Sequence, residues 1–202
     1  MELGIGTGRL AIPLHQRGVK VAGMDASQAM INELQAKPVS AGIDVVLGNF
    51  VEIDWNARFN LIYIAFNTFF SLRTQEQQVD CFRSVAEHLA TGGVFLIEAF
   101  VPDMSRFDDN QTVRLTNLNE NRVQLEVSRH HPVEQQVSSQ IVLLSECGIR
   151  LYPIKVRYVW PAELDLMAQL AGLMEINRNG SWNKSEYNEG SVKHISVYRA
   201  GK

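Results

Sequence analysis

A glycine-rich stretch at the start of the chain carries the clearest chemical signal in the sequence. Residues 2–9 read ELGIGTGR, with three alternate glycines that precede a helix-forming segment. Glycine adopts positive φ and has no Cβ, so the backbone of such a loop can press against a ligand; a tight strand-to-helix turn is the alternative. The dinucleotide fingerprint Gly-x-Gly-x-x-Gly would require glycine at position 9, where this chain has Arg9. The mismatch disfavours an NAD-dependent dehydrogenase.

Asp25 is the second candidate for ligand binding. It lies 17 residues beyond Gly8, at the end of the apolar run 19–24. A carboxylate at the end of this strand can accept hydrogen bonds from both hydroxyls of a ribose, whereas the alternative is a helix-capping or turn aspartate. The loop and the acid together favour a nucleoside-containing ligand.

The elements that must position these residues alternate through the first hundred positions. Apolar runs at 19–24, 43–47, 59–66 and 94–97 predict strands. Ser27 is a predicted N-cap, and Thr74 with Gln77 fits a capping box for a helix that Gly92-Gly93 would end. Continuous apolar strands separated by helices are typical of a parallel sheet covered on both faces, which is an α/β fold.

The pattern changes after Pro102. Segments 113–116, 122–127, 137–144 and 151–159 alternate polar and apolar residues, which predicts antiparallel strands with one wet face. Pro161 then opens a helix, and two β segments close the chain. We expect residues 1–110 and 161–202 to form one cofactor-binding domain. Residues 111–160 would be an antiparallel insert, a roof over the substrate or a dimer edge, and not an independent domain.

Four motifs in residues 2–98 resemble those of class I S-adenosylmethionine-dependent methyltransferases. They are ELGIGTGR, VAGMDAS, LGNF and HLATGGVFLIE, in the order and spacing of that family. The rest of the chain is similar in layout to an uncharacterised branch near small-molecule and sugar-amine N-methyltransferases. The resemblance implies a Rossmann-like, doubly wound, mostly parallel sheet with an antiparallel insert after the fifth strand, and S-adenosyl-L-methionine as cofactor with S-adenosyl-L-homocysteine as product. Since the family's first strand begins several residues before the acidic position, we expect an N-terminally truncated first strand, reduced stability and weak cofactor binding.

The resemblance also implies a set of cofactor-binding residues at the carboxyl ends of the strands. They are Glu2, Gly4, Gly6 and Gly8 around the methionine moiety, Asp25 at the ribose, Ala26, Asn49 and Phe50 at the adenine, and Ala65, Phe66 and Asn67 on the sulfonium side. Asn49 departs from the aspartate that is commonest there. Its amide oxygen can still accept a hydrogen bond from the adenine amine, so we expect weaker rather than abolished binding.

Methyl transfer needs a general base only when the acceptor arrives protonated, because much of the catalysis comes from holding the reactants in near-attack geometry. The candidate bases are Glu98, His130, His131, Tyr158 and His194. We take Glu98 and His131 as the candidate catalytic residues. The alternatives are a structural acceptor for Glu98 and an exposed strand end for the two adjacent histidines, of which at most one faces the crevice.

Composition limits the class of partner. The formal net charge is −3, which gives no reason to expect a nucleic acid, and the best apolar run, residues 61–66, stops far short of a membrane span. Cys81 and Cys147 lie in different predicted elements, which argues against a disulfide framework or a metal site. With no basic-then-apolar leader, we expect a cytoplasmic enzyme with a small-molecule substrate. The exposed edges of the insert could pair between two subunits of a homodimer. The alternative function is a weak or inactive methyltransferase-like binding protein.

Overall fold

Two β-sheets and four α-helices make up the computed structural model, which describes residues 1–201. The elements in chain order are β1 (Glu2–Leu3), α1 (Ala11–Gln16), β2 (Ala22–Asp25), α2 (Gln28–Gln35), β3 (Asp44–Leu47), β4 (Phe59–Ile64), α3 (Gln75–His88), β5 (Leu89–Phe100), β6 (Gln111–Asn119), β7 (Arg122–His131), β8 (Gln136–Ser145), β9 (Gly148–Arg157), α4 (Pro161–Leu170), β10 (Leu173–Asn179) and β11 (Lys193–Ala200). Short 3₁₀ turns occur at Pro38–Ser40 and Thr68–Ser71.

The larger sheet has seven strands in the order β10-β11-β5-β4-β1-β2-β3. Strands β1 to β5 pair in parallel, whereas β11 runs antiparallel to β5 and to β10. The direction of winding reverses between β1 and β4, and ligands of open α/β sheets bind at the carboxyl ends of the strands at such a point. The predicted doubly wound, mostly parallel sheet is confirmed, and its first strand is two residues long.

The helix starts follow from local side-chain caps. Ser27 Oγ accepts from the backbone N–H of Met30, and Thr74 Oγ1 accepts from that of Gln77. The Gln77 side chain in turn accepts from the backbone N–H of Arg73. Each bond satisfies a backbone donor that has no partner inside the helix, which confirms both predicted N-caps.

The end of α3 differs from the prediction. The helix ends at His88, before the predicted stop at Gly92-Gly93. The strand pairing between β4 and β5 is interrupted just after Leu89, and Gly92 adopts a φ of +76° inside this irregularity. A Cβ on Gly93 would lie 2.8 Å from the Phe59 carbonyl oxygen. The two glycines therefore shape an irregular strand instead of capping the helix.

The apolar core lies on both faces of the larger sheet. One face packs against α3 and α4 around an edge-to-face cluster in which Phe82 contacts Phe69, Phe95 and Tyr198. A smaller cluster on the other face includes Leu34 of α2. The helices thus cover both faces, as the continuous apolar strands predicted. Within residues 1–201, none of the helices has the length and apolar character that a membrane span requires.

The smaller sheet is a four-stranded antiparallel meander in the order β6-β7-β8-β9. Its register places Ser128 opposite Ser139 and Ser139 opposite Ile154. Residues on that face of the sheet, including Arg114, Glu126, Ser139, Ile154 and Val156, line a cavity at the carboxyl ends of β4 and β5. We call this surface the inner face of the small sheet.

Candidate cofactor and acceptor site

The glycine loop follows β1 and has positive φ at all three alternate glycines: 79° at Gly4, 54° at Gly6 and 84° at Gly8. A Cβ on Gly4 would lie 2.5 Å from Thr68 Cγ2, and one on Gly8 would clash with the side chain of Leu34. A Cβ on Gly6 would meet no atom within 4 Å. Packing within the protein therefore accounts for two of the glycines, whereas Gly6 borders open space that a ligand can fill.

Asp25 is half-buried at the end of β2 and is bonded to the glycine loop. Its Oδ2 accepts from the backbone N–H of Gly6 at 2.8 Å, and its Oδ1 accepts from that of Ser27 at 2.9 Å. A carboxylate oxygen can accept two hydrogen bonds, so each oxygen keeps one free position. The structure thus brings together the loop and the acid that were predicted to share a ligand.

The end of β4 forms the third part of the site. Phe66 and Asn67 adopt the left-handed region, with φ of 55° and 63°, which is uncommon for residues other than glycine. Two hydrogen bonds to side chains help to hold this turn: the N–H of Phe66 donates to Glu98 Oε2, and the N–H of Phe100 donates to Asn67 Oδ1. The guanidinium of Arg9, which follows the glycine loop, lies 3.7 Å from the centroid of the Phe66 ring. This contact joins the loop to the end of β4.

The other predicted cofactor-binding residues differ in how exposed they are. Ala26 is exposed after β2, and Asn49 is exposed after β3 with its Oδ1 accepting from the N–H of Val51 at 3.2 Å. The ring of Phe50 packs in the core at 5% exposure, which leaves its backbone at the strand ends. Ala65 is buried as β4 ends.

Glu2 is buried in the strand just before the loop. Its Oε2 accepts from the Tyr63 hydroxyl at 2.9 Å. Burial raises the pKa of Glu2 to about 7, although the hydrogen bond from Tyr63 and the charge of Arg9 act in the opposite direction. A cation bound near the loop would favour the ionised form of this carboxyl.

A cavity of about 1010 Å³ lies between the carboxyl ends of β4 and β5 and the inner face of the small sheet. Its apolar walls include Phe66, Phe100, Met104, Val137, Ile154, Val156, Trp160 and Val192, and its charged lining residues are Asp103, Arg106, Arg114, Glu126 and Glu189. Phe66 therefore both lines the cavity and contacts Arg9, which follows the glycine loop.

Glu98 lies near the end of β5, close to Phe66, and its carboxylate accepts three hydrogen bonds. Oε1 accepts from Trp182 Nε1 at 3.0 Å and from Lys193 Nζ at 2.9 Å, while Oε2 accepts from the N–H of Phe66 at 3.1 Å. Burial alone would raise the pKa of Glu98, but these bonds outweigh it and hold the pKa below its usual value. The group is thus held ionised. Trp182 and Lys193 are the partners that sequence reasoning did not assign, because both lie far along the chain.

The two adjacent histidines lie on opposite faces of β7. His130 faces inward, where it is buried and its Nε2 is 2.8 Å from the Tyr158 hydroxyl. His131 pairs with Gln136 on the other face, and its Nε2 is 3.3 Å from Ser138 Oγ. The structure does not bring His131 to the cavity, because strand alternation directs its side chain away from the inner face.

Both the sequence and the structure of this chain are similar to those of known methyltransferases. Residues 1–93 match the family model described as a methyltransferase domain. The cypemycin N-terminal methyltransferase of a Streptomyces species is 25% identical over 198 residues, which are 98% of this chain and 81% of that protein. The CcbJ methyltransferase from Streptomyces caelestis is 40% identical, with a TM-score of 0.94 over all of this chain and 82% of that one.

A more distant structure shares the fold. It is the S-adenosylmethionine-bound CalS10, an amino pentose methyltransferase from Micromonospora echinaspora, at 20% identity and a TM-score of 0.70 over 97% of this chain and 81% of that one. The identity and coverage of the CcbJ match assign the family. The family model, the glycine loop with its acid, and the order of the strands agree with this assignment. The chain belongs to the S-adenosylmethionine-dependent methyltransferases.

Proposed function

We propose that this enzyme moves the methyl group of S-adenosylmethionine to a nitrogen or oxygen atom of a small molecule held in the cavity beneath the small sheet. The position of Phe66 carries the proposal. One face of its ring contacts Arg9 of the glycine loop, and the same residue lines the cavity. The two halves of a transfer site, donor and acceptor, therefore meet at this residue.

The residues at the strand ends fit the donor. Gly6 leaves room for the ligand against the backbone, and Asp25 keeps two free acceptor positions for a pair of ribose hydroxyls. Glu2 places a carboxyl beneath the loop, where it would respond to the charge of a sulfonium or ammonium group. Ala26 and the backbone at Phe50 would border the adenine.

When bound, S-adenosylmethionine supplies an electrophilic methyl group. The protein's contribution is to hold the acceptor in line with that methyl and to exclude water, and positioning of this kind lowers barriers by up to about 7–11 kcal/mol in the best intramolecular cases. We propose Glu98 as a positioning residue, because its three donors leave it poorly placed to take a proton and it fixes the backbone of Phe66. An acceptor that arrives neutral needs no general base.

We propose that residues 111–160 act as the roof of the acceptor site, with 1–110 and 161–202 forming the cofactor-binding domain. The inner face of the small sheet supports this role, since Val137, Ser139 and Ile154 all line the cavity. The name of the cypemycin N-terminal methyltransferase favours nitrogen over oxygen as the acceptor atom.

The test has two steps. Titration calorimetry first measures binding of S-adenosylhomocysteine. The enzyme is then incubated with a metabolite extract and S-adenosylmethionine carrying a labelled methyl group, and small-molecule products are sought by mass spectrometry. A labelled metabolite whose formation is lost in Asp25→Ala supports the proposal. Binding of the homocysteine product without any labelled metabolite would favour the alternative, a binding protein without turnover.

We propose that the enzyme is cytoplasmic and forms a homodimer. Cys81 is buried and Cys147 exposed, both as free thiols, which suits a reducing compartment such as the cytoplasm. The outer strands of the small sheet expose apolar side chains, including Val113, Leu115 and Leu151, which suits pairing in a homodimer. Light scattering at several protein concentrations tests the dimer, and a mass equal to one chain throughout would exclude it.

A further inference from the structure

A carboxylate on the inner face of the small sheet stands out within the acceptor cavity. Glu126 is on β7, directly opposite Arg114 of β6 in the strand register. Its side chain is only 17% exposed, whereas Asp103 and Glu189, which also line the cavity, are exposed. A carboxylate withdrawn from water in this way is costly unless a cation or several donors compensate it.

The compensation that Glu126 receives is incomplete and easily removed. Oε2 accepts from Arg114 Nη2 at 2.9 Å, but the arginine side chain is 62% exposed. Oε1 lies at the long distances of 3.3 Å from Ser128 Oγ and 3.5 Å from Ser139 Oγ. The two serine hydroxyls are 2.7 Å apart and so bond to each other more closely than to the carboxylate. The arginine regains hydration when it moves away, because its side chain is largely exposed, so this pair is easier to break than one buried on both sides.

The surroundings of the carboxylate favour a ligand that is apolar apart from one positive charge. Val137, Ile154 and Val156 occupy the same face of the sheet, and Phe100 and Trp160 form other walls of the cavity. Within such walls a charged partner meets less competition from water, so a charge-assisted hydrogen bond to Glu126 is stronger than it would be at the surface.

We infer that Glu126 is the subsite for a protonated nitrogen of the methyl acceptor, other than the atom that takes the methyl group, and that Arg114 occupies this carboxylate when no acceptor is bound. The inference rests on the proposed function, because it places the acceptor in this cavity. It assigns the acceptor to the class of apolar molecules with a basic nitrogen, and it makes Glu126 a specificity-determining residue. Arg114 is then a competitor of the substrate for the same carboxylate.

The competition makes the two residues distinguishable by experiment. Removing the carboxylate in Glu126→Gln should weaken binding of an amine, because a hydrogen bond between charged groups is lost. Removing the competitor in Arg114→Gln should strengthen it, because the carboxylate is then free. If the ion pair only stabilised the sheet, both variants would act in the same direction.

The probes are 2-phenylethylamine and 2-phenylethanol, which have similar shapes and differ in charge at neutral pH. Binding of each is measured by calorimetry on protein saturated with S-adenosylhomocysteine. We expect the wild-type protein to prefer the amine by about tenfold or more. Glu126→Gln should reduce the preference to about twofold or less, and Arg114→Gln should increase it by about two- to fivefold.

Controls separate the inference from its premise. Binding of S-adenosylhomocysteine by both variants, at wild-type affinity, shows that they are folded and that the donor site is intact. A wild-type protein that binds the homocysteine product but shows no preference for the amine would overturn the assignment of Glu126 and leave the proposed function in place. A wild-type protein that does not bind S-adenosylhomocysteine would instead refute the donor site itself. Parallel losses in Glu126→Gln and Arg114→Gln would show a structural ion pair and also overturn the inference.

Discussion

Gly6 offers the sharpest test of the donor site, because nothing in the protein requires glycine there except its backbone conformation. Its φ is +54°, and a Cβ would meet no protein atom within 4 Å. Alanine in the left-handed region costs about 1–2 kcal/mol, which is offset in part by about 0.4–1 kcal/mol from a stiffer unfolded chain. We therefore expect Gly6→Ala to lower the free energy of unfolding by no more than about 1.5 kcal/mol.

The effect of the same change on ligand binding should be larger. The new methyl group projects into the space assigned to the donor, and overpacking of a fitted site costs about 1–3 kcal/mol. That cost corresponds to a loss of about 5- to 150-fold in affinity. The hydrogen bond from the N–H of residue 6 to Asp25 is kept, because alanine retains the donor. Steric exclusion is thus the cause that the variant isolates.

Gly18 provides a matched control. It has a φ of +82° and likewise meets nothing within 4 Å of an added Cβ, but it lies in the turn after α1, outside the glycine loop. Urea unfolding of Gly6→Ala and Gly18→Ala should show similar small losses of stability, whereas calorimetry with S-adenosylhomocysteine should show weakened binding in Gly6→Ala alone. Wild-type affinity in a folded Gly6→Ala would refute the placement of the donor, and an equal loss in Gly18→Ala would attribute the effect to general destabilisation.

Two further predictions follow from the buried carboxyl groups. Burial raises the pKa of Glu2 from 4.5 to about 7, so its contribution to folding is fully present below pH 4.5 and is lost as the pH rises through 7. Since a bound cation favours the ionised form, affinity for S-adenosylmethionine should rise between about pH 5 and pH 7 and then level off. The affinity of Glu2→Gln, measured by calorimetry, should not change over this pH range. An affinity of the wild-type protein that does not depend on pH would contradict this role for Glu2. Glu98→Gln should lower the free energy of unfolding by about 1–3 kcal/mol, because Lys193 and Trp182 lose a charged acceptor. An unchanged midpoint of urea unfolding would show that these hydrogen bonds to Glu98 do not stabilise the fold.

Much of the fold was predictable because its signals are local. The caps at Ser27 and Thr74 involve backbone donors three residues away, so their side chains act within a single turn of helix. The parallel and antiparallel sheets were predicted from continuous and alternating apolar patterns, which depend only on whether one or both faces of a strand are buried. The end of α3 was not predicted, because Gly92 and Gly93 serve the pairing of β5 with β4 and not the helix.

The glycine loop could also be found from the sequence, because glycines at alternate positions indicate a backbone that can approach a ligand closely. The sequence alone established the positions of Gly4, Gly6 and Gly8 and the spacing to Asp25. Only the tertiary structure decided that Gly4 and Gly8 are required by packing while Gly6 faces open space. The side chains nearest to an added Cβ, Thr68 at Gly4 and Leu34 at Gly8, are 64 and 26 residues away along the chain.

The acceptor side depended almost wholly on tertiary structure. Glu98 reads as a possible base until Trp182 and Lys193, which are 84 and 95 residues away, are seen to donate to it. Alternation predicts that His130 and His131 face opposite ways, but the docking of the small sheet decided which of them is directed inward. Sequence determines contacts within a turn or a strand because bonding there is short-range, whereas the surroundings of a charged side chain depend on which distant segments pack against it.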